Sequence, residues 1–301
     1  MIPRLTSAIA LLALFLTPAT AQDTLLFSHG DYTAELPADP QRVFVMDSRT
    51  GLDFAVSAGF PIVATDWDED VGSHFADDIP AEADRLTFRN EPNAELVLSY
   101  EPDLLVVGAG WWRFWQEQAM FRTGDTPILV VADGNGRQWR ELFAEQMAAI
   151  GKAERAGELL AAYDAAVAEA KPRIAAVLDG RAIAIADIWG DQLALHVDTF
   201  STAVAEDLGI VLVAGDDTAP TSDGYKLYSP ENLGVLEDAA IVMSLWTEDI
   251  SDNPLWQRVP AVAAGRQYEM DIANSWGFAL TATDLVGDIV KAVALLDAPA
   301  Q

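Results

Sequence analysis

One uninterrupted helical stretch divides this chain and constrains everything around it. From Lys152 to Leu178 the sequence is rich in Ala, Glu and Leu, with no glycine after Gly157. Leu159, Ala162, Tyr163, Ala166 and Val167 recur at spacings of three and four, which places them on one helical face. The pattern predicts a helix of about 27 residues, roughly 40 Å long. Pro172 cannot donate to the helical ladder and is expected to kink it. Such a length exceeds an ordinary crossover within one sheet and suits a strut between two lobes.

On both sides of that stretch, short apolar runs alternate with helical segments. Val43–Met46, Ile62–Ala64, Leu104–Val107 and Ile128–Val131 read as buried strands, with Leu52–Ala58 and Ala94–Ser99 as helices between them. Ala182–Ile188, Leu193–Val197, Val211–Ala214, Ile241–Leu245 and Gln267–Met270 repeat the strand pattern, and Thr283–Leu296 reads as a closing amphipathic helix. Continuous apolar strands interleaved with helices predict parallel sheets covered on both faces. The expected class is α/β: two Rossmann-like lobes, residues 22–150 and 179–301, joined by a single long α-helix over residues 151–178.

The first residues read as separate from the fold. Arg4 gives a positive start, Ala8–Leu16 is an apolar run too short to span a bilayer, and Ala19-Thr20-Ala21 fits a small-residue cleavage site. A signal peptide over residues 1–21, cut after Ala21, would make the mature chain periplasmic. Composition narrows the chemistry. There is no cysteine, which excludes disulfides, thiolate metal sites and cysteine nucleophiles. Lys and Arg number 18 against 47 Asp and Glu, a net charge of −29 that disfavours nucleic acid and anionic lipid as partners. Three histidines, His29, His74 and His196, stand far apart, and no metal site is expected.

Catalytic signatures are missing. No nucleophile elbow, Walker A motif or zinc-protease motif occurs, and Gly108-Ala109-Gly110 and Gly134-Asn135-Gly136 lack the third glycine of a dinucleotide loop. Two lobes without such a signature point to binding rather than turnover. The aromatic residues point the same way. Trp111, Trp112, Phe114 and Trp115 follow one strand, and Trp67, Trp189, Trp246 and Trp276 stand at or shortly after the ends of others. Carboxyl ends of strands border the ligand crevice of α/β sheets, so the set predicts an aromatic cleft; core packing or a partner surface is the alternative for any one ring. Arg89, in Phe88-Arg89-Asn90-Glu91-Pro92-Asn93, offers a planar fork suited to paired oxygens; a surface ion pair is the alternative for it.

These residues carry a resemblance. Arg89-Asn90-Glu91-Pro92-Asn93-Ala94-Glu95-Leu96 followed by Glu101-Pro102-Asp103-Leu104-Leu105 resembles the first-lobe signature of iron–siderophore periplasmic binding proteins of ABC importers. Lys171-Pro172-Arg173, Pro254-Leu255-Trp256-Gln257 and Pro260-Ala261-Val262 resemble the ferric hydroxamate (ferrichrome-type) branch in the second half. The resemblance implies the helical-backbone binding-protein fold with small hinge motion, and no enzymatic activity. It implies a ferric siderophore as ligand, with iron coordinated by the siderophore and no cofactor of the protein's own. Arg89 falls where the branch contacts the chelating oxygens, and Trp111 where it commonly has tyrosine. A second-lobe tryptophan of the branch falls near Asp223, beside Tyr225 and Tyr228, and the late aromatic is kept as Trp276. With Trp67 and Trp246 these form the expected ligand set. The resemblance also implies a monomer docking on an inner-membrane ABC permease and its ATPase through one acid per lobe, Glu117 and Glu231. Haem, cobalamin or another chelate on the same fold is the alternative ligand, with Tyr225, Tyr228 or His196 available to haem iron; a secreted α/β enzyme is a further alternative.

Overall fold

The computed structural model describes residues 23–68, 73–88, 91–119, 124–189, 192–245 and 253–297. The expected signal peptide, Arg89 and Trp246 lie outside the described residues, as does the side chain of Trp189.

The chain opens with an antiparallel hairpin, β1 (Thr24–His29) and β2 (Tyr32–Pro37), which the sequence reading did not anticipate. Five strands then form the first sheet: β3 (Val43–Val45), β4 (Ile62–Asp66), β5 (Asp84–Leu86), β6 (Leu104–Gly108) and β7 (Ile128–Val131). Their order is β5-β4-β3-β6-β7, and every pairing is parallel. Helices α1 (Thr50–Ala58), α2 (Ala94–Ser99), α3 (Ala109–Glu117) and α4 (Trp139–Ala149) connect or flank them. Helix α2 starts at Asn93, whose side chain accepts from the Leu96 amide at 3.0 Å. The long helix α5 covers Ala153–Leu178. It runs unbroken through Pro172; Pro172 and Ala168, whose carbonyl loses its donor there, are both exposed, so water can serve that carbonyl.

The second sheet differs in pairing. It contains β8 (Ile183–Trp189), β9 (Gln192–His196), β10 (Tyr225–Tyr228), β11 (Ile241–Ser244) and β12 (Gln267–Glu269), in the order β10-β9-β8-β11-β12. β8, β11 and β12 are parallel, but β9 runs back from β8 as a hairpin and β10 is antiparallel to β9. Helices α6 (Phe200–Asp207), α7 (Pro260–Ala263) and α8 (Ala279–Ala294) complete this half. Other expectations change as well. Val211–Ala214 forms only an isolated bridge from Leu212 to Ile183. The closing helix begins four residues earlier than its apolar periodicity suggested. The segment after Gly108, expected as a loop, winds directly into α3.

Helix α5 does more than space the two sheets. One apolar core takes in Phe54 and Leu52 of α1, Phe143 and Met147 of α4, Leu159, Tyr163 and Ile174 of α5, Val204 of α6, and Leu285 and Ile289 of α8. Rings link the halves directly. Trp139 packs edge-on against Tyr163 at 5.2 Å and against Phe200 at 5.6 Å, while Phe278 meets Phe54 at 5.7 Å and Phe143 at 5.4 Å. Truncating a ring buried in this way costs about 3–5 kcal/mol. The halves are therefore welded along the helical side, and relative motion is confined to small adjustments around that shared core.

Candidate functional site

The carboxyl ends of strands in both sheets are built on buried carboxylates. Asp47 follows β3 and is buried. Its carboxylate accepts from the amides of Gly108 (2.7 Å), Gly51 (3.0 Å) and Arg49 (3.1 Å), tying the ends of β3 and β6 to the start of α1. Burial pushes the Asp47 carboxyl up and the three amides pull it down. Asp133, after β7, accepts from the Gly110 amide at the start of α3. In the second sheet Asp187 of β8 accepts from the Leu245 amide at 2.6 Å and pairs with His196 Nε2 at 2.8 Å, whose Nδ1 lies 3.3 Å from the Thr199 hydroxyl.

The two halves meet along a backbone seam. Gly277 N–H donates to Gly134 O at 3.0 Å, and Phe200 N–H donates to Asn135 O at 2.8 Å. Gly134 has φ +58°, and a Cβ there would come within 2.6 Å of the Gly277 carbonyl oxygen, so this approach requires glycine. Asp53 of α1 reaches across to the start of α8, accepting from Phe278 N–H (2.6 Å), Thr281 N–H (3.3 Å) and Thr281 Oγ1 (2.6 Å). It serves as that helix's missing N-cap. Arg137 pairs with Asp198 at 2.7 Å and with Glu206.

Arg49, the residue preceding α1, lies over the indole of Trp276, with its Cζ 4.5 Å from the ring centroid. One side chain comes from each half. Burial lowers the affinity of the Arg49 guanidinium for its proton, and nearby Asp47, Asp68 and Asp66 raise it. Asp66, at the end of β4, is pushed up to about 6, first by burial and then by Asp47 and Asp68; its bond from the Phe88 amide at 3.0 Å opposes the shift.

The other expected residues are placed as follows. Trp111 is partly buried on α3 and packs on Phe114 and Trp115 of its own helix, both at 6.0 Å. Tyr225 packs edge-on against His196 at 4.8 Å; burial first, then Asp187 and Asp223, push its phenol up to about 12, so it remains a donor at neutral pH. Tyr228 stands three residues along the same strand and so faces the opposite side, where it hydrogen-bonds Asp216 at 3.1 Å and packs on the second-sheet core. Trp67 belongs to the core, 7% exposed, with Arg85 4.3 Å over its ring. Glu117 ends α3 and is exposed, as is Glu231, whose carboxyl is held down by the Ser229 hydroxyl. Arg49 and Asp53 escaped the sequence reading. The signal was present: the polar run Asp47-Ser48-Arg49-Thr50 directly follows an apolar strand, where crevice residues sit.

Two α/β sheets joined by one long helix and a shared core, with a cation of one half over an indole of the other, define a two-lobed architecture. The sequence matches the family described as "Periplasmic binding protein" over residues 43–273, and the chain belongs to that family. It is a binding protein of extracytoplasmic type, not an enzyme. It is similar to the probable siderophore-binding lipoprotein YfiY of Bacillus subtilis (strain 168), with 20% identity over 253 residues, 78% of this chain and 76% of that one. In structure it is similar to FhuD of Vibrio cholerae solved with Fe3+-Desferal (TM-score 0.67, 19% identity, 86% of this chain and 99% of that chain). FhuD2 of Staphylococcus aureus with bound ferrioxamine B is a further neighbour (TM-score 0.66, 15% identity, 86% and 100%). Among the described residues, no helix is long and apolar enough to cross a membrane.

Proposed function

We propose that this protein captures a ferric siderophore of hydroxamate type and delivers it to the permease of an ABC importer. The observation that carries this reading is what the groove offers. Trp276 and Arg49 meet between the halves, with Trp111 and Tyr225 at neighbouring strand and helix ends, while Asp47, Asp66 and Asp133 accept from backbone amides and Asp187 pairs with His196. Rings and donors suit the outside of a preassembled chelate, whose own oxygens satisfy hard ferric iron. The names of the similar proteins above support the same ligand class. Charge supports the hydroxamate subclass. Asp47, Asp66 and Asp68 lie close to Arg49, which disfavours a trianionic ferric catecholate against a neutral ferric trihydroxamate.

In this reading Arg89 and Trp246 join Trp111, Tyr225 and Trp276 as ligand contacts, and Glu117 and Glu231 dock on arginines of the permease. The working protein is the monomer left by cleavage after Ala21, with its first lobe over residues 22–150 and its second over 179–301. Titration of intrinsic tryptophan fluorescence with ferrioxamine B, a ferric tricatecholate and ferric citrate tests it. Quenching should be saturable and strongest with ferrioxamine B. Absence of quenching by any ferric chelate overturns the reading; preference for the tricatecholate overturns the subclass.

A further inference from the structure

We propose that Arg49, seated on Trp276 where the two halves meet, forms a paired-oxygen site that binds a planar hydroxamate or carboxylate edge of the ligand. The identity of the natural ligand rests on the siderophore reading above; the site itself rests on the following geometry.

Arg49 is a partly buried guanidinium with five N–H donors. Among the described residues it has no hydrogen-bonded or ion-paired partner, although three carboxylates lie close enough to influence it. Two of those acids are engaged elsewhere. Asp47 accepts from three backbone amides, and Asp66 accepts from the Phe88 amide. Its contact with Trp276 uses the positive charge against the ring face and consumes no N–H. A desolvated cation with unused donors is costly in a closed structure and useful in an open one.

The carboxylates around it keep the cation in place and prevent a strongly anionic ligand from dominating the groove. The fork geometry then selects: two parallel N–H groups match two coplanar oxygens about as far apart as those of a hydroxamate or carboxylate. A lysine would keep the charge and lose the fork. Because Trp276 belongs to the second half and Arg49 to the first, a ligand seated here touches both, and its binding tightens the seam formed by Gly134, Gly277 and Asp53.

The test uses the full mature chain. Arg49→Lys and Arg49→Gln are compared with wild type and with Arg155→Gln, an exposed control on α5. Ferrioxamine B is titrated by tryptophan fluorescence, and acetohydroxamate and oxalate are titrated while the Arg49 Nε–H resonance is followed by NMR. Both Arg49 variants should lose at least tenfold in ferrioxamine B affinity, with melting temperatures of the free proteins within about 3 °C of wild type. The wild-type Nε–H resonance should shift with at least one small probe. Arg155→Gln should bind as wild type. Arg49 variants that bind within twofold of wild type overturn the site. If wild type binds no ferric chelate, the siderophore reading fails while the NMR arm still decides the site: a saturable Nε–H shift supports it, and an unmoved resonance overturns it.

Discussion

The two sheets solve the same problem with different chemistry. Each places an aspartate in or just after the strand that opens its parallel core, and each uses it to hold the amide at or just after the end of the neighbouring strand: Asp47 holds Gly108 N–H, and Asp187 holds Leu245 N–H. In the first sheet the remaining capacity is filled by amides at the start of α1. In the second it is filled by the ring of His196, brought alongside by the β8–β9 hairpin. The all-parallel sheet thus draws on a following helix, and the mixed sheet on a neighbouring strand. The lesson is that topology decides which partner a buried carboxylate can reach.

This comparison can be broken. Asp47→Ala orphans three amides and should destabilise by about 4 kcal/mol, read from urea unfolding. A cost near 1 kcal/mol would show that the amides find water and that the carboxylate is dispensable. Asp66→Asn sharpens the contrast through pH. The folded protein holds the Asp66 proton up to about pH 6, whereas the unfolded chain releases it near 4, so the wild type loses stability as pH rises through that window. The substitution should therefore stabilise by up to about 3 kcal/mol at pH 8 and change little at pH 4. A benefit independent of pH would exclude the buried charge as its source.

His196→Gln should cost less, about 1–2 kcal/mol, because Asp187 keeps its bond from Leu245. A loss equal to that of Asp47→Ala would erase the distinction between the sheets. Smallest is Arg137→Ala. This exposed ion pair joins the halves, yet it should cost no more than about 1 kcal/mol and shrink further in high salt.

Much of the architecture was legible because strands covered on both faces read as unbroken apolar runs. Ile128–Val131 and Ala94–Ser99 have the ends the sequence suggested. What escaped was short, half-exposed or nonlocal. β10 is four residues of alternating character, and overlooking it hid the fact that Tyr225 and Tyr228, an odd spacing apart, face opposite sides. Helix α3 was obscured by Gly110 and three tryptophans, weak helix formers that tertiary packing overrides. Val211–Ala214 has strand composition but only one bridge to hold it. For the site, position after a strand singled out Trp276, whose ring meets Arg49 of the other half, and also Trp67, whose ring is turned inward. Arg49 was passed over because its value lies in Trp276, a partner from the far end of the chain.

That Asp53 caps α8 from the opposite half has a consequence for how the molecule is made. The last helix supplies one wall of the common interior, so a nascent chain lacking it has an open flank of phenyl and isobutyl groups and no way to complete either half. Formation of this helix therefore couples the completion of one half to that of the other.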